Sequence, residues 1–395
     1  MLAGLKVKSN YTKTMIALAT THWMVDCLVS IWPIFKYLAN LDLARAGLII
    51  TLATLVGAAT QPLFGILSDH GHRRSLILGG ACLVGVGMLL GPASLLRQSI
   101  GEAQYYWLLF AIMMTSTIGA SMFHPAAASS AGDVSHNRRS TLIAIFIASG
   151  MFGMACSHGF FSFVFRVTGG HTEYILILTA VLAVLASRWC HPGKPHAEST
   201  RETRRNQLKA IRRPLAILFV FHALTGAMFH GFAFLMPEFL ELRGCPDWMI
   251  RGGGYLFYVT GSSVLMLCGG PLADRFGRHR LLAIFSVAAV SLLYVMILLP
   301  GGGWGMYVAL LFVAGGFGGA VNPMGLAIGQ RLAPQCASTI SGILLGLAWA
   351  AASPAFWVIG ILAERLGVIN ALLWVGTLGF VGLLALLVFV LQRRE

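Results

Sequence analysis

Charge is scarce in this chain of 395 residues: Asp, Glu, Lys and Arg make up 11%, against 57% hydrophobic residues, and the mean hydropathy is +0.78. Soluble domains carry about 25% charged residues, so a soluble globular protein is excluded. Acids are scarcer still, 14 against 28 Lys and Arg, for a formal net charge of +14. In a soluble protein that excess would point to nucleic acid. Here the basic residues stand between apolar runs and read as topology signals, so no nucleic-acid partner is expected. The seven cysteines (Cys27, Cys82, Cys156, Cys190, Cys245, Cys268, Cys336) are scattered without a CxxC pair, which implies neither a disulfide framework nor a thiolate metal site. No G-x-x-x-x-G-K-[ST] run occurs, which argues against self-contained ATP drive. Polar–apolar alternation is also missing; the apolar runs are continuous, excluding a transmembrane barrel.

What the chain has is twelve apolar segments, each near the roughly 20 residues needed to cross the hydrocarbon core. They fall at about 14–38, 44–67, 75–96, 105–131, 140–166, 172–190, 214–242, 250–273, 280–300, 304–330, 337–363 and 368–391, numbered here as spans 1 to 12. The first follows Lys6, Lys8 and Lys13, is too long for a signal h-region and has no evident cleavage site, so it stays as a span. The expected fold is an all-α polytopic membrane protein of twelve transmembrane helices in two six-helix bundles, 1–190 and 214–395. The stretch 191–213 between them is a basic, solvated linker with room for a surface helix. Alternate sides of the membrane receive 21 and seven of the Lys and Arg residues. The positive-inside bias puts both termini and the linker in the cytoplasm of a multi-pass inner-membrane protein. Trp32, Trp107, Trp248, Trp304 and Trp357 fall near the opposite ends of their spans, where an outer aromatic belt is expected.

The halves repeat. Gly65-Ile-Leu-Ser-Asp69-His-Gly-His-Arg73 after span 2 returns as Gly270-Pro-Leu-Ala-Asp274-Arg275-Phe-Gly277-Arg278 after span 8. Met24, Pro33, Phe35 and Leu38 of span 1 match Met228, Pro237, Phe239 and Leu242 of span 7, and His124-Pro125 of span 4 answers Asn322-Pro323 of span 10. Parallel six-span repeats place a substrate site at their interface near the midplane. With these motifs the chain resembles the major facilitator superfamily over essentially its whole length. The second loop fits the superfamily's G-x-x-x-D-R-x-G-R-R signature well, and the first has His70 and His72 where a basic residue and Gly are usual. Within the superfamily, His22-Trp-Met-Val-Asp26 and Phe123-His124-Pro125 resemble the fosmidomycin-resistance family's H-x-x-x-D and F-H-P. Gly150-Met-Phe-Gly153-Met-Ala-Cys-Ser157-His158 stands where export members tend to end in Gly-Pro, a departure from the export pattern.

Ionisable groups inside a span are costly and usually face a cavity used in transport. Of the fourteen acids only Asp26 lies near the middle of a span, and His22 sits one turn earlier on the same helix face. Burial disfavours the charged carboxylate and a neighbouring imidazolium favours it, a tension suited to a proton carrier. His230 occupies the position equivalent to Asp26, eight residues after His222. His22, Asp26, His124, His222, His230 and Asn322 thus all fall on spans 1, 4, 7 and 10, which the resemblance implies line the central cavity. For His124 the plainer role is a bond to a carbonyl freed by Pro125 four residues earlier in the helix, and His158 and His222 lack an ionisable repeat partner. Gly65, Asp69, Arg73, Gly270, Asp274, Arg275, Gly277 and Arg278 read as gate and packing elements, with the two aspartates capping helices or pairing with a basic residue. The glycines of span 10 read as sites of close helix approach.

The leading expectation is a secondary transporter, proton-coupled, for a small polar or anionic organic solute, working as a monomer without cofactor or resident metal. Alternatives are a carrier of a metal ion or metal chelate such as a siderophore, and a drug-efflux antiporter of the fosmidomycin-resistance type. An intramembrane enzyme using His22 and Asp26 as acid and base leaves the duplicated bundle unexplained, whereas alternating access explains it. A non-transporting sensor would show no proton flux on addition of solute.

Overall fold

The computed structural model describes residues 2–134, 139–189, 201–299, 302–333, 340 and 342–391. Among the described residues the regular structure is entirely helical, and ten helices are long and apolar enough to cross a membrane. Helix occupies every one of the twelve expected spans. Span 1 is Leu2–Val29 continued, after a break, by Trp32–Leu38, where Pro33 near the helix start removes a backbone donor and restarts the helix. Spans 2, 4, 5 and 6 are Leu43–Leu67, Glu102–Asp133, Arg139–Val167 and the shorter Ile175–Trp189. Span 3 runs from Arg73–Gly85 through a tighter turn to Leu90–Leu95. In the second half, spans 7 to 10 are Arg212–Leu242, Gly254–Phe276, Arg278–Leu298 and Trp304–Leu332. Span 11 is broken into Gly342–Leu347, Ala348–Ala352 and Pro354–Leu366, and span 12 is Val368–Leu391. Among its described residues the linker carries the helix Arg201–Ala210, with Leu208 and the following Ile211 packed on the apolar core of the second half.

The chain divides into two compact units, Met1–Ala39 with Val56–His196, and Asn40–Leu55 with Ala197–Glu395. The first half of span 2 therefore groups with the second unit. There Thr51 Oγ1 donates to the Ser353 carbonyl (2.8 Å), the Ala44 amide donates to Glu364 Oε1 (3.0 Å), and Gly47 and Gly360 let the two backbones touch.

Packing inside each unit repeats as the sequence does. Span 1 packs on spans 4, 5 and 6 and span 3 on spans 4 and 6; correspondingly span 7 packs on spans 10, 11 and 12 and span 9 on spans 10 and 12. Small residues set the closest approaches. A side chain on Gly80 would strike the Gly119 carbonyl on span 4, and on span 10 Gly315 lies against Tyr258, Gly316 against Gly261 and Gly319 against Ser262.

Four of the five tryptophans expected in the outer belt are exposed: Trp107, Trp248, Trp304 and Trp357. Trp32 is not; only 1% of it is accessible, and its ring packs against Phe35. Its place at the end of a span did not fix the side it faces, because Pro33 restarts the helix there.

Candidate functional site

The centre of the first unit holds a buried cluster of one carboxylate and two imidazoles. His22 and Asp26 are one turn apart on span 1, and His22 Nε2 lies 3.3 Å from Asp26 Oδ2. From span 4, His124 Nε2 reaches the other oxygen, Asp26 Oδ1, at 2.9 Å. The remaining ring nitrogens both donate to backbone carbonyls: His22 Nδ1 to Phe146 O of span 5 at 2.6 Å, and His124 Nδ1 to Ala120 O at 2.7 Å. Pro125 frees the Ser121 carbonyl by its missing N–H, so the acceptor His124 finds is a neighbouring one, and the same ring makes both the backbone bond and the ion pair. Side-chain exposure rises from 6% at His22 through 11% at Asp26 to 31% at His124.

Span 5 closes the cluster, a contribution that sequence reading missed. The Phe146 ring stacks on His22 at a centroid distance of 3.8 Å, with the planes 7° apart. Gly150 has no side chain where one would collide with Asp26 Oδ2 and the His22 ring, and Gly153 lies against the Trp23 backbone. The signal available was the Gly150–Gly153 spacing, a small-residue face on an otherwise apolar span. Gly150→Leu is therefore expected to cost about 1–3 kcal/mol from overpacking and to push His22 off Asp26. Thermal denaturation of the purified variant measures the first effect, and the pH profile of transport measures the second.

The three donor atoms lie within 4.8 Å of one another, the one His/Cys/Asp/Glu group among the described residues close enough for a metal ion. A tetrahedral ion bound at about 2.0–2.1 Å would hold its donors about 3.3–3.4 Å apart. The 2.9 Å His124–Asp26 contact is shorter and is a hydrogen bond.

The other residues singled out from sequence lie elsewhere. His158, buried in the first unit, bonds the Ser30 backbone beside Lys36. In the second unit, His230 meets the edge of Trp349 at 4.5 Å, next to Phe229 stacked on Tyr258 at 4.6 Å. Trp349 gave no sequence signal; it sits in the short middle segment of the broken span 11. Asn322 Oδ1 accepts from Thr225 Oγ1 at 3.3 Å, and buried His222 finds no hydrogen-bond partner for either ring nitrogen among the described residues.

At the loop motifs, Arg73 is buried (4% exposed) and pairs with Asp133, at the end of span 4, at 2.6 Å. The side chains of Asp69 and Asp274 lie outside what the structure describes, and Gly270 falls within the helix Gly254–Phe276. Gly277 adopts φ +87° in the second copy; in the first, the left-handed residue is Gly71 at φ +96°, one position before His72. The turn is thus kept by moving its glycine one residue. Gly65 lies 4.0 Å, for an added Cβ, from Pro125 of span 4, and Arg275 covers the Phe276 ring. Removing one partner of a buried ion pair leaves an uncompensated charge, so Asp133→Ala is expected to cost about 3–5 kcal/mol, seen as a lowered Tm in detergent.

The Major Facilitator Superfamily profile matches residues 14–344. The chain belongs to the Major Facilitator Superfamily. It is 24% identical over 369 residues to the fosmidomycin resistance protein of Escherichia coli K12, covering 88% of this chain and 86% of that protein. An uncharacterised MFS-type transporter of Bacillus subtilis, YfnC, is 21% identical over 387 residues, covering 94% and 92%. Among solved structures, a mutant form of the nucleoside transporter NupG aligns with a TM-score of 0.74 at 14% identity, over 97% of this chain and 99% of that one. A POT family transporter in complex with a thioalcohol-conjugated peptide also aligns at 0.74, with 13% identity over 98% and 96%. The superfamily fold expected from the sequence is thus the fold found, and this superfamily member is a multi-pass membrane transporter and not an enzyme.

Proposed function

We propose that this transporter moves a small polar or anionic organic solute by proton-coupled alternating access, with His22, Asp26 and His124 as the proton site. The observation that carries the reading is the buried carboxylate bridging two imidazoles from two different spans, 3.3 and 2.9 Å away. Buried ionisable groups in a membrane domain mark ion or proton pathways, and histidine changes charge near physiological pH. His230 and Asn322, with His222 and His158 as further members, supply hydrogen-bonding groups to the solute. The protein works as a monomer. Reconstitution into proteoliposomes tests the reading: addition of a transported solute should drive proton movement in the absence of any other ion gradient. Solute uptake indifferent to an imposed pH gradient would remove the proton from the mechanism.

A second reading, drug efflux, draws on the fosmidomycin resistance protein among the relatives. Direction tests this second reading: exclusion of solute from right-side-out vesicles under a proton gradient supports efflux, and accumulation inside them removes it.

Both termini and the linker are placed in the cytoplasm by the excess of Lys and Arg on that side. In a cysteine-free background, Thr203→Cys should resist an impermeant thiol reagent added to intact cells and react in inverted vesicles. Labelling from outside the cell would reverse the orientation.

A further inference from the structure

We infer that the His22–Asp26–His124 cluster is a two-proton cell, loaded and emptied through His124, whose outer proton ties span 4 to span 1. The inference rests on the proton-coupled reading and adds to it a count and an order.

The count follows from which atoms face which. A backbone carbonyl oxygen only accepts, so the contacts of both Nδ1 atoms with Phe146 O and Ala120 O place a hydrogen on each Nδ1. In a neutral imidazole that leaves Nε2 bare. Both Nε2 atoms face Asp26, and they face different oxygens, Oδ2 for His22 and Oδ1 for His124. A carboxylate has no hydrogen to give, so each contact needs one proton, on nitrogen or on oxygen. Two protons satisfy both contacts and leave the cluster with one net positive charge. One proton leaves it neutral with a single contact. With none, two lone pairs face an anion in a buried setting, and both contacts fail. Among the described residues the further titratable group set against Asp26 is the thiol of Cys27, next to it on span 1, which in turn faces the Cys156 thiol of span 5; neither supplies a charge that could replace a lost proton.

The order follows from how each ring is held. His22 lies under the Phe146 ring, beside Gly150, with its side chain 6% exposed. His124 is 31% exposed, and its backbone bond is to its own helix, so its ring can leave Asp26 with that backbone bond kept, whereas the backbone bond of His22 ties it to span 5. The proton between His124 and Asp26 is the exchangeable one. The proton between His22 and Asp26 is the retained one, and His22 is a positioning residue that keeps the carboxylate aimed at span 4. Losing the outer proton removes the hydrogen bond that joins spans 1 and 4 at this level.

Nitrogen-15 NMR of histidine-labelled protein in lipid nanodiscs, followed from about pH 5 to about 9 across the ordinary histidine range, tests this, with the Asp26 carboxyl followed by infrared spectroscopy. His22→Gln and His124→Gln assign the two rings independently, so one failing to fold leaves the other. At the acid end the rings and carboxyl together should hold two protons at the Asp26 contacts. As pH rises His124 should lose its proton before His22, and each neutral ring should carry its hydrogen on Nδ1. In Asp26→Asn the capacity should fall from two to one, because the amide donates to one bare Nε2 and accepts from one protonated ring. A capacity of one or fewer in the unaltered protein, a neutral ring protonated on Nε2, or His22 emptying first would overturn the inference. Solute-driven proton flux in proteoliposomes is a separate measurement. A two-proton cell without flux keeps the count and sinks the coupling; flux with a one-proton cell does the reverse.

Discussion

Asp26→Asn is expected to abolish accumulation of solute against its gradient while leaving the protein folded in the membrane. The amide has the shape of the carboxylic acid and can still pair with His22 and His124, so the packing of spans 1, 4 and 5 survives. What it lacks is a charge that changes. Without a carboxylate neither imidazolium has a counter-charge in the membrane interior, where an unpaired charge costs at least about 2.5–3.5 kcal/mol. The cluster then holds at most one proton, on the ring facing the amide oxygen, with no carboxylate to set its affinity, and proton binding is no longer tied to the state of the transporter. The expected loss is complete for uphill transport, with downhill exchange of solute retained. His22→Gln, one turn away, shifts the pH dependence of transport instead of eliminating it, because the His124–Asp26 pair remains. The measurement is uptake into proteoliposomes with and without a pH gradient, beside a melting curve for each variant. Should Asp26→Asn still concentrate solute, the proton is carried elsewhere, with His230 or His124 next to examine.

Parts of this site were legible from sequence, for identifiable reasons. Helical spacing alone put His22 and Asp26 on one face, and the scarcity of acids made Asp26 conspicuous. The repeat placed His124 on span 4, but a sequence does not measure the distance between spans, so the 2.9 Å closure onto Asp26 came only with the fold. Phe146 left little trace because an aromatic within a largely apolar span reads as ordinary packing, and Gly150 drew notice only through the stretch ending at His158, not as a neighbour of Asp26. The Arg73–Asp133 pair was hidden for a different reason. The sequence offered Asp69 as a helix cap and as a partner for a basic residue across the half-bundle, and named no acid for Arg73; the loop turn at Gly71 leads into the helix on which Arg73 meets the end of span 4. Trp32 shows the limit of position as a guide: the membrane level of a residue follows from its place along a span, but the side it faces depends on how the helix is set, here by Pro33.

Small anions should bind better than lipophilic cations, and binding should weaken as pH rises and imidazolium groups give up their protons. The candidate solute-contacting groups are imidazoles and an amide, and the acid near the middle of a span, Asp26, is already engaged by two histidines. A protonated His124 is the part of that cluster that solvent can reach. A carboxylate or phosphonate meeting it gains a charge-assisted hydrogen bond, worth about 1.5–3 kcal/mol, or roughly 10- to 150-fold in affinity. A lipophilic cation meets the same net positive cluster and has no free acid to replace it. In the second unit His230 is partly exposed and set against Trp349, whose ring can cover the apolar body of an organic anion. His124→Ala and His230→Ala are each expected to weaken anion binding by about 10-fold or more while lowering Tm by less than Asp133→Ala does. Thermal-shift titrations with citrate, a simple alkyl phosphonate and tetraphenylphosphonium at mildly acidic and mildly alkaline pH make the comparison. Stabilisation by the anions at acidic pH, lost at alkaline pH and in the two histidine variants, is the expected pattern. Tight binding of tetraphenylphosphonium that neither substitution alters would reverse the assignment and make drug efflux the better account of this transporter.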